Sequence, residues 1–194
     1  ELAWEIRAYL HERGVEELAF ESIVASGTNA AKPHYRAGSA KISAAAPLLI
    51  DMGARVEGYC ADLTRTVFLD GTGQDRFREI HAVVSEAQQA SIAAIRPGVQ
   101  GGEVDAPGRQ VIEDAGYGEE FGHGLGHGVG LAVHERPTLR RRSEDVLEAG
   151  MVLTVEPGIY LAGWGGIRIE DVVLVTETGG EVLTAAARDP FLAI

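Results

Sequence analysis

Four carboxylates stand where strand-like runs would ordinarily carry apolar side chains. Asp51 follows "PLLI", Asp62 precedes "LTRTVFL", Glu156 follows "VLTV", and Glu170 lies inside "IRIEDVVLV". An ionised carboxylate moved into an apolar interior costs far more than its packing returns, so such groups need cations. Arg65 and Arg168 could neutralise two of them, and an ion pair or a capped strand end is the ordinary reading of any single one. The four together with an imidazole form an oxygen-rich set whose charge, about −4, two divalent ions would balance. Mn²⁺ suits the oxygens first, while the imidazole admits Co²⁺, Zn²⁺ and Fe²⁺. Two such ions about 3.5–4 Å apart activate water at neutral pH and polarise a carbonyl, which is the chemistry of hydrolysis.

The imidazole comes from "HGLGHGVGLAVHE", residues His123 to Glu135, where three histidines share a track of glycines. A helix would put His123 and His127 on one face, as in zinc proteases. Glycines at 122, 124, 126, 128 and 130 oppose that, since each costs about 1 kcal/mol relative to Ala in a helix. In an extended segment four residues span about 13 Å, so both imidazoles cannot sit at the metal–nitrogen distance of about 2.1 Å from one ion. One ligand is therefore expected between them. His134 has the opposite parity and points elsewhere unless the chain bends. The glycines leave one face bare for close approach of backbone or ligand. Their spacing is not that of a dinucleotide-binding loop.

The elements that must position these groups read as α+β. Ala3, Ile6 and Leu10 form a helical stripe closed by Gly14. A long helix is expected from about Asp75 to Ile95, with Phe77, Ile80, Val84, Ala87, Ser91 and Ile95 inward and "RPG" as its stop. A shorter one runs from near Asp105 to Ala115, with Pro107 in its first turn and Gly116 after its end. The runs "APLLIDMGA", "GYCADLTRTVFL", "MVLTVEPGIYL" and "IRIEDVVLVTE" read as strands. Each half thus has a helix followed by a strand pair with two acidic residues, a loose two-fold echo.

The whole chain, 194 residues with 45% hydrophobic and 24% charged content, fits one globular domain. A net charge of −12 and a pI near 4.9 exclude a nucleic-acid or anionic-membrane surface as the working face. The basic run Arg140–Arg142 is expected in a solvated loop. Cys60 is alone, so there is no internal disulfide, and no apolar run reaches the roughly 18 residues of a membrane span. A cytoplasmic location is the expectation. The chain opens in helix-like sequence without Met or signal peptide, which suggests a catalytic part, residues 1–194, of a longer protein.

The ordered set "IDMG", "GYCADLTRT", "HGLGHGVGLAVHE", "LTVEPGIY" and "GIRIED" resembles the metal-dependent pita-bread peptidases, in the branch of Xaa-Pro dipeptidase (prolidase) and Xaa-Pro aminopeptidase. The resemblance runs from "IVASGTNAAKPHYRAG" to "TETGGEVLT". It implies a curved, mainly antiparallel sheet covered by helices, with pseudo-two-fold halves. It further implies two divalent ions, with Asp51 a ligand of one, Asp62 and Glu170 bridging, and His127 and Glu156 completing the second. His34, His123 and His134 would line the substrate pocket, with Arg168 as support. The implied reaction is hydrolysis of the bond before proline at the N-terminus of a dipeptide or short peptide, Glu156 carrying the proton and His134 with His123 assisting. A homodimer of the full-length protein is also expected. Methionine aminopeptidase shares the five ligands, but His123 four residues before the ligand and Arg168 two before the last glutamate favour the proline branch. A non-catalytic pita-bread binding module would be expected to lose ligand positions, and all five are filled. Ala132, where relatives commonly carry an acidic residue, and the lack of the branch's N-terminal domain are the departures.

Overall fold

The computed structural model describes residues 1–69 and 74–192. Within them the chain runs through α1 (Leu2–Glu12), β1 (Glu17–Leu18), β2 (Ile23–Ser26), a 3-10 turn at Gly27–Ala31, β3 (Pro47–Met52), β4 (Ala54–Val56), β5 (Tyr59–Cys60) and β6 (Leu63–Phe68). Then come α2 (Gln74–Ala94) and α3 (Gly101–Asp114). The second half adds β7 (Gly126–Gly128), β8 (Glu135–Leu139), β9 (Val152–Val155), β10 (Gly158–Leu161), β11 (Gly165–Arg168), β12 (Asp171–Val175) and β13 (Gly180–Val182).

Two sheets matter for the site. In the first half β3 is central, in the order β2-β3-β6; in the second half the order is β13-β12-β9-β7-β8. Both are antiparallel throughout. Smaller ribbons, β1-β4-β5 and β10-β11, flank them. The expected α+β class is what is observed.

The predicted stripe of the long helix is its buried face. Phe77, Ile80, Val84, Ala87 and Ser91 are all buried along α2, joined by Gln88, and Ile95 is buried just beyond its end. Phe77, Ile80, Val84 and Ala87 share one apolar core with Leu153, Val155, Val173 and Val175 of the larger sheet. Burying each of the larger side chains here is worth about 1.5–3 kcal/mol, so this seam fixes α2 against the strands that carry the glutamates. A smaller core joins Ile23, Ala25, Ala30 and Leu49 under Tyr35 and Tyr160.

The structure corrects the start of the short helix. It begins at Gly101, about one turn before Asp105, because the Glu103 carboxylate accepts a bond of 2.8 Å from the Gln100 backbone N–H. Pro107 therefore lies in the helix interior and not in its first turn. Gly108 lets α3 touch α2: a Cβ there would sit 2.7 Å from the Ala87 carbonyl oxygen. At α1 the expected glycine cap is present, with Gly14 at φ +84° and its N–H on the His11 carbonyl. Arg140, Arg141 and Arg142 are exposed as expected, and Arg141 pairs with Glu113. None of the described helices is long and apolar enough to cross a membrane.

Three expected strands are broken at the residues that matter. "VLTVEPGIYL" divides into β9 and β10 around Glu156 and Pro157, "IRIEDVVLV" divides into β11 and β12 around Ile169 and Glu170, and "GYCADLTRTVFL" divides into β5 and β6 around Ala61 and Asp62. Glu170 is therefore not within a strand. Proline lacks the N–H that a continued ladder requires, which accounts for the first break.

Candidate metal centre

A cavity of about 340 Å³ is lined by Asp51, Asp62, His127, Glu156 and Glu170, and also by His34, His123, His134 and Arg168. All nine residues singled out in the sequence thus face one space. Phe20, Ile23 and Pro33 supply an apolar wall.

Asp51 projects from the central strand of the first sheet, in register with Ile23 on one side and Thr64 on the other. Arg168 Nη2 donates to its Oδ2 at 2.5 Å, whereas Oδ1 is buried without a hydrogen-bond partner among the described residues. Burial raises the Asp51 pKa in spite of Arg168. Asp62 precedes β6, and burial together with the charges of Asp51 and Glu156 pushes it up to about 8. Glu170 is wholly buried; its Oε2 accepts a bond of 2.6 Å from Thr64 Oγ1, and Oε1 has no partner among the described residues. Burial, then Glu156, Asp62 and Asp51, push its pKa well above the usual carboxylate value. Glu156 differs. Burial raises it too, but the hydrogen bond from His127 and the charge of Arg168 outweigh that and hold it below the ordinary value.

His127 is placed by β7, whose glycines make room for its neighbours. A Cβ at Gly126 would lie 2.0 Å from the Thr154 carbonyl oxygen, and one at Gly128 would lie 2.3 Å from that of Arg136. The His127 N–H donates to Thr154 Oγ1 at 3.1 Å, and Nδ1 faces the Gly128 carbonyl at 3.0 Å. Nε2 is left toward the acids, 3.2 Å from Glu156 Oε1 and 3.8 Å from Asp62 Oδ2. Burial opposes its protonation, but Glu156 prevails and raises the pKa. One ligand atom each from Asp62, His127 and Glu170 lie within 4.8 Å of one another.

His123 goes elsewhere. Its Nδ1 faces the Gly124 carbonyl at 2.7 Å and its Nε2 the Tyr160 hydroxyl at 2.9 Å. His134 does not point away as its parity suggested. The β7–β8 pairing shifts register between His127 and Gly128, and the turn that follows returns His134 to a ring-centroid distance of 4.3 Å from His127. Burial and the charge of His127 lower its pKa. His34 is exposed at the rim.

Arg65 also departs from expectation. It pairs at 2.7 Å with the fully buried Asp171, not with one of the four acids, while its Nη1 donates to the Glu170 carbonyl at 2.6 Å. Sequence reasoning missed Tyr160, Thr64 and Thr154. The Tyr160 hydroxyl receives Arg168 Nη1 at 2.9 Å, Thr64 Oγ1 receives Arg168 Nε at 3.1 Å, and Thr154 Oγ1 donates to Glu156 Oε1 at 3.3 Å. Tyr160 stands within "LTVEPGIY", so its motif was visible although its role was not.

Two buried carboxylate oxygens without donors, in a cavity with more acids than bases, call for protons or for a cation in their place. Carboxylate oxygens with one imidazole suit a hard or borderline divalent metal, so the residues fit such an ion.

Comparison with known proteins agrees. The profile of Metallopeptidase family M24 matches residues 1–177. The chain is 42% identical over 189 residues to the Xaa-Pro dipeptidase of Pyrococcus furiosus, covering 97% of this chain and 54% of that protein. It is 44% identical over 188 residues to an uncharacterized peptidase of Bacillus subtilis, covering 97% and 53%. Among solved structures, the X-Pro aminopeptidase of Thermotoga maritima superposes with a TM-score of 0.95 at 41% identity, over 100% of this chain and 54% of that one. The prolidase of Pyrococcus furiosus gives 0.93 at 42%, over 96% and 55%. The chain spans about half the length of the curated relatives it matches. The fold is the pita-bread fold of these peptidases, and the chain belongs to metallopeptidase family M24, in the branch of the Xaa-Pro dipeptidases and aminopeptidases.

Proposed function

We propose that the chain forms the catalytic centre of an exopeptidase that uses two divalent metal ions to cleave the Xaa-Pro bond at the N-terminus of dipeptides or short peptides. The observation that carries this reading is the convergence of five ligand-type side chains on one cavity, with the unpartnered Asp51 Oδ1 and Glu170 Oε1 among them. Asp51, Asp62, His127, Glu156 and Glu170 would hold the ions, Mn²⁺ first. When bound, divalent ions supply Lewis acidity and lower the pKa of water.

The chain's own groups then divide the remaining work. Glu156, whose carboxyl is held low by His127 and Arg168 against its burial, is ionised at neutral pH and accepts the proton of the attacking water. It delivers that proton to the proline nitrogen, which must be protonated to leave. His134 is kept neutral by burial and by His127, so its ring N–H can donate to the developing oxyanion. His123 is fixed by Tyr160 at the cavity wall, and His34 stands at the rim, both facing substrate. The apolar wall of Phe20, Ile23 and Pro33 suits a pyrrolidine ring, and the excess acidity suits a free amino terminus.

The test is hydrolysis of Ala-Pro, Ala-Pro-Ala and Met-Ala-Ser by protein reconstituted with Mn²⁺, Co²⁺ or Zn²⁺, with metal content measured alongside. Cleavage of the proline peptides that depends on metal is expected. Cleavage of Met-Ala-Ser alone would move the protein to the methionine-specific reading, and bound metal without hydrolysis would leave a binding module.

A further inference from the structure

Behind the glutamates sits a polar side chain that the chemistry above does not use. Gln88 is fully buried on α2, a helix whose inward face is otherwise mostly apolar. A buried carboxamide without partners is strongly unfavourable, so its bonds define its role. Its Nε2 donates to the Val155 carbonyl at 3.1 Å and to the Ile169 carbonyl at 3.3 Å. Those carbonyls belong to the residues immediately before Glu156 and Glu170. The Gln88 oxygen accepts a bond of 3.2 Å from Arg188 Nη1. Two carbonyls on one side and a guanidinium on the other permit only one orientation of the amide.

The network continues around the site. Arg188 Nη2 pairs at 2.5 Å with Asp171 Oδ2, Arg65 pairs with Asp171 Oδ1, and Arg65 also holds the Glu170 carbonyl. Asp171 is itself the residue after Glu170 and lies opposite Val155 in the β9–β12 register.

We infer that Gln88 is a positioning residue which sets the separation of Glu156 and Glu170, and that Arg188 locks its orientation. The inference rests on the reading of these two glutamates as metal ligands. Both glutamates stand where the strands break: their N–H groups reach the Leu125 and Thr64 carbonyls at 2.7 and 3.1 Å, and between the two flanking ladders their own segments are joined, among the described residues, only by the long bond of 3.4 Å from the Ile169 N–H to the Pro157 carbonyl. One amide nitrogen shared between the two preceding carbonyls ties that backbone together, and α2 carries the tie at the core seam. The carboxylates then keep a fixed spacing when the ions arrive or leave. Partners that orient ligands in this manner typically alter metal affinity about 10–100-fold when lost.

The experiment is metal titration with Co²⁺ alone, read by stoichiometry and by the visible absorption of the bound ion, on wild type, Gln88→Met, Arg188→Ala and Val84→Ala. Val84 is buried four residues away on the same helix and serves as a control for general loss of stability. The Gln88→Met protein is expected to bind Co²⁺ at least about 10-fold more weakly, with an altered spectrum, while Val84→Ala with a comparable fall in Tm keeps both. Arg188 has a side chain 46% exposed, so Arg188→Ala should remain folded, and a smaller shift in the same direction is expected. Wild-type affinity and spectrum in Gln88→Met overturn the inference. So does equal weakening in Val84→Ala, or, if Gln88→Met does not fold, an unchanged Arg188→Ala. A wild-type protein that takes up no ion overturns the ligand reading itself, and this inference with it.

Discussion

The two halves of the molecule each bring two carboxylates to the cavity, but by different means. In the first half Asp51 projects from the middle of a continuous ladder, flanked in register by Ile23 and Thr64, while Asp62 stands just before β6. In the second half Glu156 and Glu170 stand just past strand ends. A short side chain directly on a sheet needs little further support, because the ladder fixes its Cα on both sides. A longer one at a break has an extra rotatable bond and half a ladder, and here it is surrounded by helpers: Thr154 on Glu156, and Thr64 with Arg65 on Glu170. The lesson is that the cost of reach is met by polar packing behind the site.

The largest expected effect tests the proton role assigned to the second half. Glu156→Gln keeps the shape but loses the base, so kcat on Ala-Pro should fall by about 10²-fold or more while metal remains bound. A variant with most of its kcat would remove the functional distinction between Glu156 and the other three acids. Next come the histidines. His127→Ala should lose metal by elemental analysis, whereas His123→Ala and His134→Ala should retain it and change kcat or KM. Equal loss of metal in all three would mean that His123 leaves Tyr160 for the ion.

The acids also predict how metal-free protein responds to pH. Asp62 titrates at about 8 when folded against the ordinary 3.8, and Asp51 and Glu170 are shifted upward as well. Above about pH 6.5, where the raised His127 acts in the same direction, the folded chain holds more protons than the unfolded one, and stability declines as pH rises from about 6.5 to about 8. Below about pH 6.5 the trend is opposed, because burial lowers His81, His123 and His134, and Glu156 is also held below its ordinary value. The Tm of stripped protein should fall from about pH 6.5 to about 8, and divalent metal should flatten the slope by displacing the protons. A Tm that rises with pH above about 6.5 in stripped protein would contradict the crowding of the acids.

The smallest effects sharpen the contrast between helpers. Thr64→Val removes a hydroxyl that donates to the Glu170 carboxylate and receives Arg168, so a loss of about 1.5–3 kcal/mol is expected in denaturant unfolding. Thr154→Val removes longer bonds, to Glu156 and from the His127 N–H, and should cost less, about 1 kcal/mol. The reverse order would show that the glutamate nearer His127 depends more on its threonine.

Much of this was legible because it rests on local pattern. The stripe from Phe77 to Ser91 and the acids interrupting apolar runs are visible in the sequence itself. Chain geometry limited His123 and His127 to one ligand at a single ion, and the structure turns only His127 toward the acids. What escaped depends on partners distant in sequence. Gln88 reads as a polar interruption on a helix until Val155 and Ile169 are brought to it. Arg65 could have served any nearby acid, and only the packing of β6 beside residues 170–171 selects Asp171. Parity alone turned His134 away, but parity holds only in unbroken strands; a register shift and a bend bring it into the pocket where the resemblance put it.

The seam between the halves has a mechanical consequence. Thr66 Oγ1 receives the Arg168 N–H and donates to the Arg168 carbonyl, each at 3.0 Å, and the Glu170 N–H meets the Thr64 carbonyl at 3.1 Å. The Arg168 side chain then crosses to Asp51. These bonds weld β6 to the segment that carries Glu170, at the floor of the cavity. Jaws welded at the floor do not swing open as rigid bodies. Traffic into the cavity then passes over its rim, where His34 stands exposed beside Pro33.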